Sequence, residues 1–174
     1  WGTFLASAYA LGQPDVVKAF ESLGDLTPEA KTAAKAAAAI MGMNNIYYRS
    51  LHLMHNPEYR TLPAKLRMNI LGTPGAPKEE FELWSLAVSA VNGCGMCMDA
   101  HEAELRKHAV TNVQVQAALR IAAVVNAVSA VLRAEAAAQA RAFAEERAGL
   151  EGRASEAAAR SLAGSKGEAT GKFS

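Results

Sequence analysis

The two cysteines of this chain, Cys94 and Cys97, lie three positions apart in NGCGMCMDAHE, and His101 follows four positions after the second. On an α-helix, at about 100° per residue, the cysteines lie about 60° apart and Cys97 lies about 40° from His101. All three side chains therefore share one stripe of the helix. Two thiols and an imidazole in this arrangement can carry out thiol–disulfide chemistry or bind a metal ion.

The position of the thiols at a helix start favours redox chemistry. Asn92-Gly93 is a strong helix stop, so both thiols fall in the first turn of the next helix. Free N–H groups and the positive end of the helix dipole lie there and lower the pKa of a thiol. We therefore assign Cys97 as the nucleophilic, peroxidatic thiol, Cys94 as the resolving thiol of a redox-active disulfide, and His101 as the general base.

Glu82 is the carboxylate that we expect near His101. It lies in FELWSL, an otherwise apolar stretch in which a carboxylate needs a partner. If the chain reverses at Gly93, position 82 lies opposite position 104, within one helical turn of His101. A proton relay of Glu82, His101 and Cys97, direct or through a water molecule, follows as a prediction.

Metal binding is the main alternative for the cysteine stretch, because His108 extends it to a C-x2-C-x3-H-x6-H pattern. His108 returns to nearly the same stripe but roughly 10 Å further along the helix, which is too far for a shared tetrahedral ion. We expect no bound metal or cofactor. A zinc-binding or structural helical module stays open as an alternative, and stoichiometric zinc in the purified protein would support it.

The elements that must position these side chains are helices, since helix formers dominate and β-branched runs are scarce. The predicted helices are an apolar one ending near Gly12, one from Asp15 to Gly24, one from Thr27 to the Asn56-Pro57 break, EEFELWSLAVSAV, the helix of the cysteines, and one capped by Thr111 or Asn112. The sequence therefore predicts an all-α, single-domain helical bundle.

The composition shifts towards Ala, Glu, Arg, Gly and Ser after about residue 135. We expect a helical domain over residues 1–135 and a tail over residues 136–174, helical to about Arg147 and then disordered. The chain opens on an apolar helical pattern without an initiator Met, which suggests a truncated N-terminus.

Two pairs of similar segments suggest an internal duplication. WGTFLASAYA matches WSLAVSAVNG at an offset of 83, and AAIM matches AAVV at an offset of 84. Chance similarity between Ala-rich helices is the alternative, so the duplication is a hypothesis.

Charge and hydropathy exclude several partners. The formal net charge is +1 and the Lys and Arg residues are scattered, so we expect no nucleic-acid partner. No apolar run looks long enough to span a bilayer and no signal peptide is recognisable. We therefore expect a cytoplasmic protein without a membrane partner, in which two cysteines are too few for a disulfide scaffold.

The stretch ELWSLAVSAVNGCGMCMDAHE resembles the active-site signature of the alkylhydroperoxidase AhpD family, within the carboxymuconolactone decarboxylase-like superfamily. The similarity extends through AAAAIMGMNNIYYR, LRMNILGTPGAPKEEFELWS and AALRIAAVVNAV, over roughly residues 1–133. The resemblance implies that Glu82, Cys94, Cys97 and His101 are the functional groups. Met96 stands where some members carry a His, so a relay role at that position is absent.

The same resemblance implies an all-helical subunit that assembles as a homotrimer and works as an antioxidant thiol oxidoreductase. Electrons would pass from dihydrolipoyl groups on a 2-oxoacid dehydrogenase component, through the cysteine pair, to an AhpC-type peroxiredoxin. Weak direct reduction of alkyl hydroperoxides would accompany this transfer. A carboxymuconolactone decarboxylase-like enzyme, in which the thiols are incidental, is the alternative within the same superfamily.

Overall fold

The structure is a computed structural model that describes the backbone of residues 1–168 and the side chains of residues 1–160. Over this part of the chain it contains six α-helices, two short 3-10 helices and no strand, which confirms the predicted all-α fold. The α-helices are α1 (Gly2–Leu11), α2 (Pro14–Leu23), α3 (Pro28–Leu53), α4 (Lys78–Val91), α5 (Gly95–Lys107) and α6 (Asn112–Glu168), and the 3-10 helices are Pro57–Arg60 and Asn69–Leu71.

Most helix boundaries lie where local turn chemistry predicts them. Gly12 ends α1 in the left-handed conformation, with φ 65°. Thr27 caps α3, because its side chain accepts a hydrogen bond from the N–H of Ala30 at 3.2 Å, and Pro28 occupies the first helical position. Gly93, with φ 68°, turns the chain between α4 and α5. These boundaries give α4 and α5 the lengths that the site needs.

The predicted cap of α2 is wrong. Gln13, not Asp15, is the N-cap, and its Oε1 accepts hydrogen bonds from the N–H groups of Asp15 at 2.6 Å and Val16 at 3.3 Å. Pro14 takes the first helical position, for which its fixed φ is suited, so the helix begins before Asp15.

The hydrophobic core of the compact unit Trp1–Val131 lies between α1, α3 and α4. Helix α5 packs on α4 and α3, and α2 packs on α1. The buried core side chains are Leu5, Ala6, Ala33, Ala34, Ala37, Ala38, Met41, Phe81, Trp84 and Val88. Alanines on α3 let the neighbouring helices approach closely, and this brings α3, α4 and α5 together around the cysteines.

Helix α6 begins with reciprocal capping of Thr111 and Gln114. Thr111 Oγ1 accepts from the N–H of Gln114 at 3.3 Å, and Gln114 Oε1 accepts from the N–H of Thr111 at 2.8 Å. This confirms the helix start predicted at Thr111 or Asn112. One face of α6 is buried through Ala118, Ala122, Val125 and Ser129.

The second compact unit begins at Leu132, inside α6. The helix continues past Arg147, where the sequence predicted its end, as far as Glu168. Its alanines favour helix, and Arg–Glu pairs four residues apart stabilise it without a core, at Arg141–Glu145, Arg147–Glu151 and Glu156–Arg160. Residues 169–174 of the predicted disordered tail lie outside the described residues. The 1–135 domain and the internal duplication stay predictions.

By length and composition, α6 is apolar enough to cross a membrane. An 18-residue window within Asn112–Arg160 has a mean hydropathy of 1.8, and 22% of that window is buried. The prediction that no apolar run is long enough is therefore wrong, because isolated polar residues interrupt the run without lowering its mean hydropathy enough. Apolar core helices have the same length and composition, so this is weak evidence for a membrane span.

Candidate active site

Cys94 and Cys97 lie at the start of α5 and are joined by a disulfide, with their Cα atoms 5.3 Å apart. Cys94 is the N-cap residue and Cys97 lies in the first turn, as the sequence predicted. Cys94 is fully buried, whereas Cys97 keeps 7% exposure. The pair can exist as a dithiol or a disulfide with little change in the helices, since a single turn contains both residues.

A buried hydrogen-bond network holds the turn that leads into α5. Asn45 of α3 donates from Nδ2 to Ser89 Oγ at 3.0 Å, and Asn92 donates from Nδ2 to Asn45 Oδ1 at 2.9 Å. Arg49 donates to the carbonyl oxygen of Asn92, and the N–H of Cys94 donates to that of Ser89 at 3.0 Å. The cysteines are thereby fixed to α3 and to the last turn of α4. The sequence analysis did not find this network, because nothing local marks Asn45 as a partner of α4.

Glu82 and His101 meet across the α4–α5 interface. Glu82 Oε2 lies 2.7 Å from His101 Nδ1, and each side chain is 14% exposed. The chain reverses at Gly93 as predicted, which brings position 82 next to position 101. An ionised Glu82 accepts a proton from Nδ1, so that Nε2 is the ring nitrogen left to face the site.

His101 Nε2 lies 3.1 Å from Met41 Sδ of α3. Within residues 1–160 no hydrogen bond joins His101 to either cysteine sulfur, so the structure contains the Glu82–His101 half of the predicted relay but no direct link to Cys97. Met41 lines the same cavity as Cys97. The sequence analysis treated Met41 as gap-filling core, because a residue 60 positions from His101 carries no local signal of this contact.

Lys78 adds a positive charge beside this carboxylate. Its Nζ lies 3.7 Å from Glu82 Oε1 and 3.7 Å from Glu104 Oε1. The hydrogen bond from Lys107 lowers the pKa of Glu104, with smaller contributions from the charges of Lys107, Lys78 and His108. The outer side of the Glu82–His101 pair is therefore a charged surface network.

A cavity of about 200 Å³ lies on the side of Cys97. It is lined by Met41, Asn44, Tyr48, Met96, Cys97 and Ala100. Helix α3 supplies one wall and α5 the other. Cys94 does not line it, so a small molecule in the cavity meets the sulfur of Cys97.

The residues of the zinc alternative are engaged in other contacts. Cys94 and Cys97 are joined to each other, and His108 Nε2 lies 3.6 Å from Glu104 Oε1. In the described part of the chain, no group of three or more His, Cys, Asp or Glu side chains is arranged to hold a metal ion.

Comparison with known proteins identifies the class that this fold and site define. The model of the carboxymuconolactone decarboxylase family matches residues 57–140, which include Glu82, both cysteines and His101. A protein of Maricaulis maris named alkyl hydroperoxide reductase AhpD is 67% identical over 134 residues, covering 76% of this chain and 78% of that protein.

Two further relatives carry the same name. The protein of Hyphomonas neptunium is 63% identical over 76% of this chain and 74% of its own length. The protein of Methylocella silvestris is 55% identical over 76% of this chain and 75% of its own length. At these identities and coverages, the chain belongs to the alkyl hydroperoxide reductase AhpD family, as the resemblance of the cysteine stretch indicated.

Proposed function

We propose that this protein is a thiol oxidoreductase that reduces alkyl hydroperoxides by a dithiol–disulfide cycle of Cys94 and Cys97. The observation that carries the proposal is the disulfide at the start of α5, with Cys97 at a cavity and the Glu82–His101 pair close by. The printed name of the relatives, alkyl hydroperoxide reductase, supports the reaction class.

The oxidative half-reaction begins with the Cys97 thiolate. Its sulfur attacks the terminal oxygen of the hydroperoxide, the O–O bond breaks, and Cys97 becomes a sulfenic acid while an alkoxide leaves. The alkoxide takes a proton to give the alcohol, and His101, supported by Glu82, is the proposed donor of that proton. Because Met41 covers Nε2, the proton reaches the cavity after a Met41 rotamer change or through a water molecule.

Cys94 completes the oxidation. Its thiolate attacks the sulfur of the Cys97 sulfenic acid, the S–O bond breaks, and hydroxide leaves as water after protonation. Two electrons have then passed from two thiols to one hydroperoxide, and the product is the Cys94–Cys97 disulfide. The 5.3 Å between their Cα atoms is suited to this ring closure.

A dihydrolipoyl group on a 2-oxoacid dehydrogenase component is the proposed reductant. One of its thiolates attacks Cys97, because Cys94 is fully buried and only Cys97 borders the cavity. Cys94 leaves as a thiolate, and the second lipoyl thiol then closes its own disulfide and releases Cys97. The reduced pair would also pass its electrons to the disulfide of an AhpC-type peroxiredoxin. A chemistry that needs reduced thiols favours the cytoplasm.

A homotrimer is the proposed assembly, and α6 offers a surface for it. Val113, Val124, Val128 and Val131 are exposed and lie within about 60° of one another around the helix. The opposite face contains the buried Ala118, Ala122, Val125 and Ser129. A second copy of the chain packed on the valine stripe would remove its apolar surface from water.

A decarboxylase-like activity is the alternative, and the name of the matching family model favours it. It predicts turnover of a γ-lactone acid and full activity in Cys97→Ser. The experiment that separates the two follows consumption of an alkyl hydroperoxide with dihydrolipoamide as reductant, for the wild type, Cys97→Ser and the control Asp99→Asn. Loss of turnover in Cys97→Ser alone is expected; full turnover in that variant would refute the thiol cycle.

A further inference from the structure

We propose that the cavity beside Cys97 is the binding site of the hydroperoxide, in which Asn44 accepts a hydrogen bond from its O–H group and the walls select a short alkyl chain. The inference rests on the proposed thiol cycle and adds to it a substrate-binding residue and a preference among hydroperoxides. It depends on three observations: an unpartnered buried oxygen, its position opposite Cys97, and the size of the cavity.

Asn44 Oδ1 is a buried acceptor without a donor. The residue is 7% exposed, and among the described residues its Oδ1 has no hydrogen-bond partner. Its Nδ2 faces Met68 Sδ at 3.1 Å, which orients the amide so that the oxygen points elsewhere. An unpaired buried carbonyl lowers stability, so a ligand that brings a donor is favoured at this point.

Three hydroxyl oxygens share this condition in the described part of the chain, those of Ser7, Ser85 and Ser129. None of the three residues lines the cavity beside Cys97, whereas Asn44 does. An amide oxygen also differs from a hydroxyl in being an acceptor only, and it cannot satisfy itself by rotating a proton. Asn44 is therefore the member of this set that is placed to bind a substrate.

The geometry of α3 directs Asn44 towards Cys97. Met41, Asn44 and Tyr48 follow one another at spacings of three and four residues and so share one helix face. All three line the cavity, with Cys97 on the α5 side. A molecule between the two walls therefore meets an acceptor on one side and the reacting sulfur on the other.

An alkyl hydroperoxide fits these groups by its own chemistry. It has one O–H donor on the oxygen that the Cys97 sulfur attacks, and an apolar chain for the thioethers of Met41 and Met96 and the ring of Tyr48. A neutral amide binds the O–H without placing a negative charge beside the Cys97 thiolate, as a carboxylate would. The hydrogen bond holds the terminal oxygen in the cavity while the O–O bond breaks and the alkoxide takes a proton.

The size of the cavity limits the alkyl chain. Its volume of about 200 Å³ is below the roughly 300–1,000 Å³ of most ligand sites. Ala100 is an exposed residue of its wall, so a larger side chain there narrows the cavity without disturbing the core. We therefore expect tert-butyl hydroperoxide to react faster than a fatty-acid hydroperoxide.

The test separates the two half-reactions by stopped-flow. Protein reduced with dihydrolipoamide and freed of it is mixed with tert-butyl hydroperoxide, and oxidised protein is separately mixed with dihydrolipoamide. Asn44→Ala should oxidise about tenfold more slowly, because one hydrogen bond to the substrate is lost. Reduction of its disulfide should be unchanged, because the attacking thiolate has no O–H to donate. The matched control Ser7→Ala removes an equally unpartnered buried oxygen away from the cavity and should change neither rate.

A second variant keeps the inference testable if Asn44→Ala does not fold. Ala100→Leu should lower the rate with tert-butyl hydroperoxide relative to that with hydrogen peroxide by several-fold. Equal slowing of both half-reactions in Asn44→Ala, or an unchanged ratio between the peroxides in Ala100→Leu, would overturn the inference and leave the thiol cycle standing. Wild-type protein that no hydroperoxide oxidises would instead refute the proposed function itself.

Discussion

Glu82 Oε2 lies 2.7 Å from His101 Nδ1 across the α4–α5 interface, and this contact decides which ring nitrogen is available to the cysteines. The carboxylate engages Nδ1, so Nε2 is directed towards Met41 and the cavity that contains Cys97. A histidine held in this way can take a proton from a thiol and later return it to an alkoxide. The contact thus joins the fold of two helices to the proposed proton chemistry.

The first prediction concerns pH. In His101→Phe the Cys97 thiol loses its base, so its thiolate forms only as the pH approaches the ordinary thiol pKa of about 8.5. Its pH–rate profile should move to higher pH, and the rate at pH 7 should fall by about 100-fold. The rate of alkylation of the reduced protein by iodoacetamide, measured against pH, reports this directly.

Glu82→Gln should show a weaker form of the same change, about tenfold, because the imidazole remains but loses its charged partner. The matched control is Glu104→Gln, which removes another carboxylate beside Lys78 but makes no contact with His101. Identical pH profiles in the wild type, His101→Phe and Glu82→Gln would remove the relay from the account.

The second prediction assigns the two sulfurs. Cys94→Ser should stop after one hydroperoxide and accumulate a sulfenic acid on Cys97, because no resolving thiol is present. Dimedone labelling followed by mass spectrometry should place one adduct on Cys97. Cys97→Ser should give no adduct, since the remaining thiol is buried away from the cavity. Catalytic turnover retained in both single variants is the outcome that contradicts the assignment.

The site residues were predictable from the sequence to the extent that they are local. Cys94, Cys97 and His101 share one helix, and a single reversal at Gly93 is enough to bring Glu82 beside them. Met41 and Asn44 were not predictable, because they lie on α3 and reach the site only through the way α3 packs against α5. No spacing in the sequence specifies that packing geometry.

The third prediction concerns assembly. Val124→Asp with Val128→Asp places two charges on the exposed valine stripe of α6 and should convert the trimer to monomer without unfolding it. Sedimentation velocity measures the mass, and circular dichroism checks the helices. The control is Leu150→Asp, an exposed apolar position in the second unit, which should leave the mass unchanged. A wild-type monomer would end the trimer proposal.

The fourth prediction concerns the core. A Cβ at Gly2 would lie 2.1 Å from Trp84 Cε2, so α1 approaches α4 closely because residue 2 has no side chain. Gly2→Ala should therefore lower the free energy of unfolding by about 1–3 kcal/mol. Gly42→Ala, whose Cβ meets no described atom within 4 Å, should raise it by up to about 1 kcal/mol because alanine favours the helix. Urea denaturation compares the two, and equal effects would contradict the close packing.

The fold was predictable where caps and breakers are strong, and less so where helix propensity decides. Thr27, Gly93 and Thr111 bound helices as expected, since each supplies a specific cap or turn. The continuation of α6 to Glu168 was missed because we required a buried face for a stable helix. Alanine content and Arg–Glu pairs four residues apart stabilise this helix through contacts within itself.

The most direct test of the central claim is a thiol count before and after one equivalent of hydroperoxide. The protein is reduced with dihydrolipoamide, separated from it without oxygen, and titrated with a chromogenic disulfide. The account predicts two thiols per chain before the hydroperoxide and none after it, with one alcohol formed and both thiols restored by fresh dihydrolipoamide. Two thiols remaining after the hydroperoxide, or no return of thiols with dihydrolipoamide, would contradict a cycle between Cys94 and Cys97.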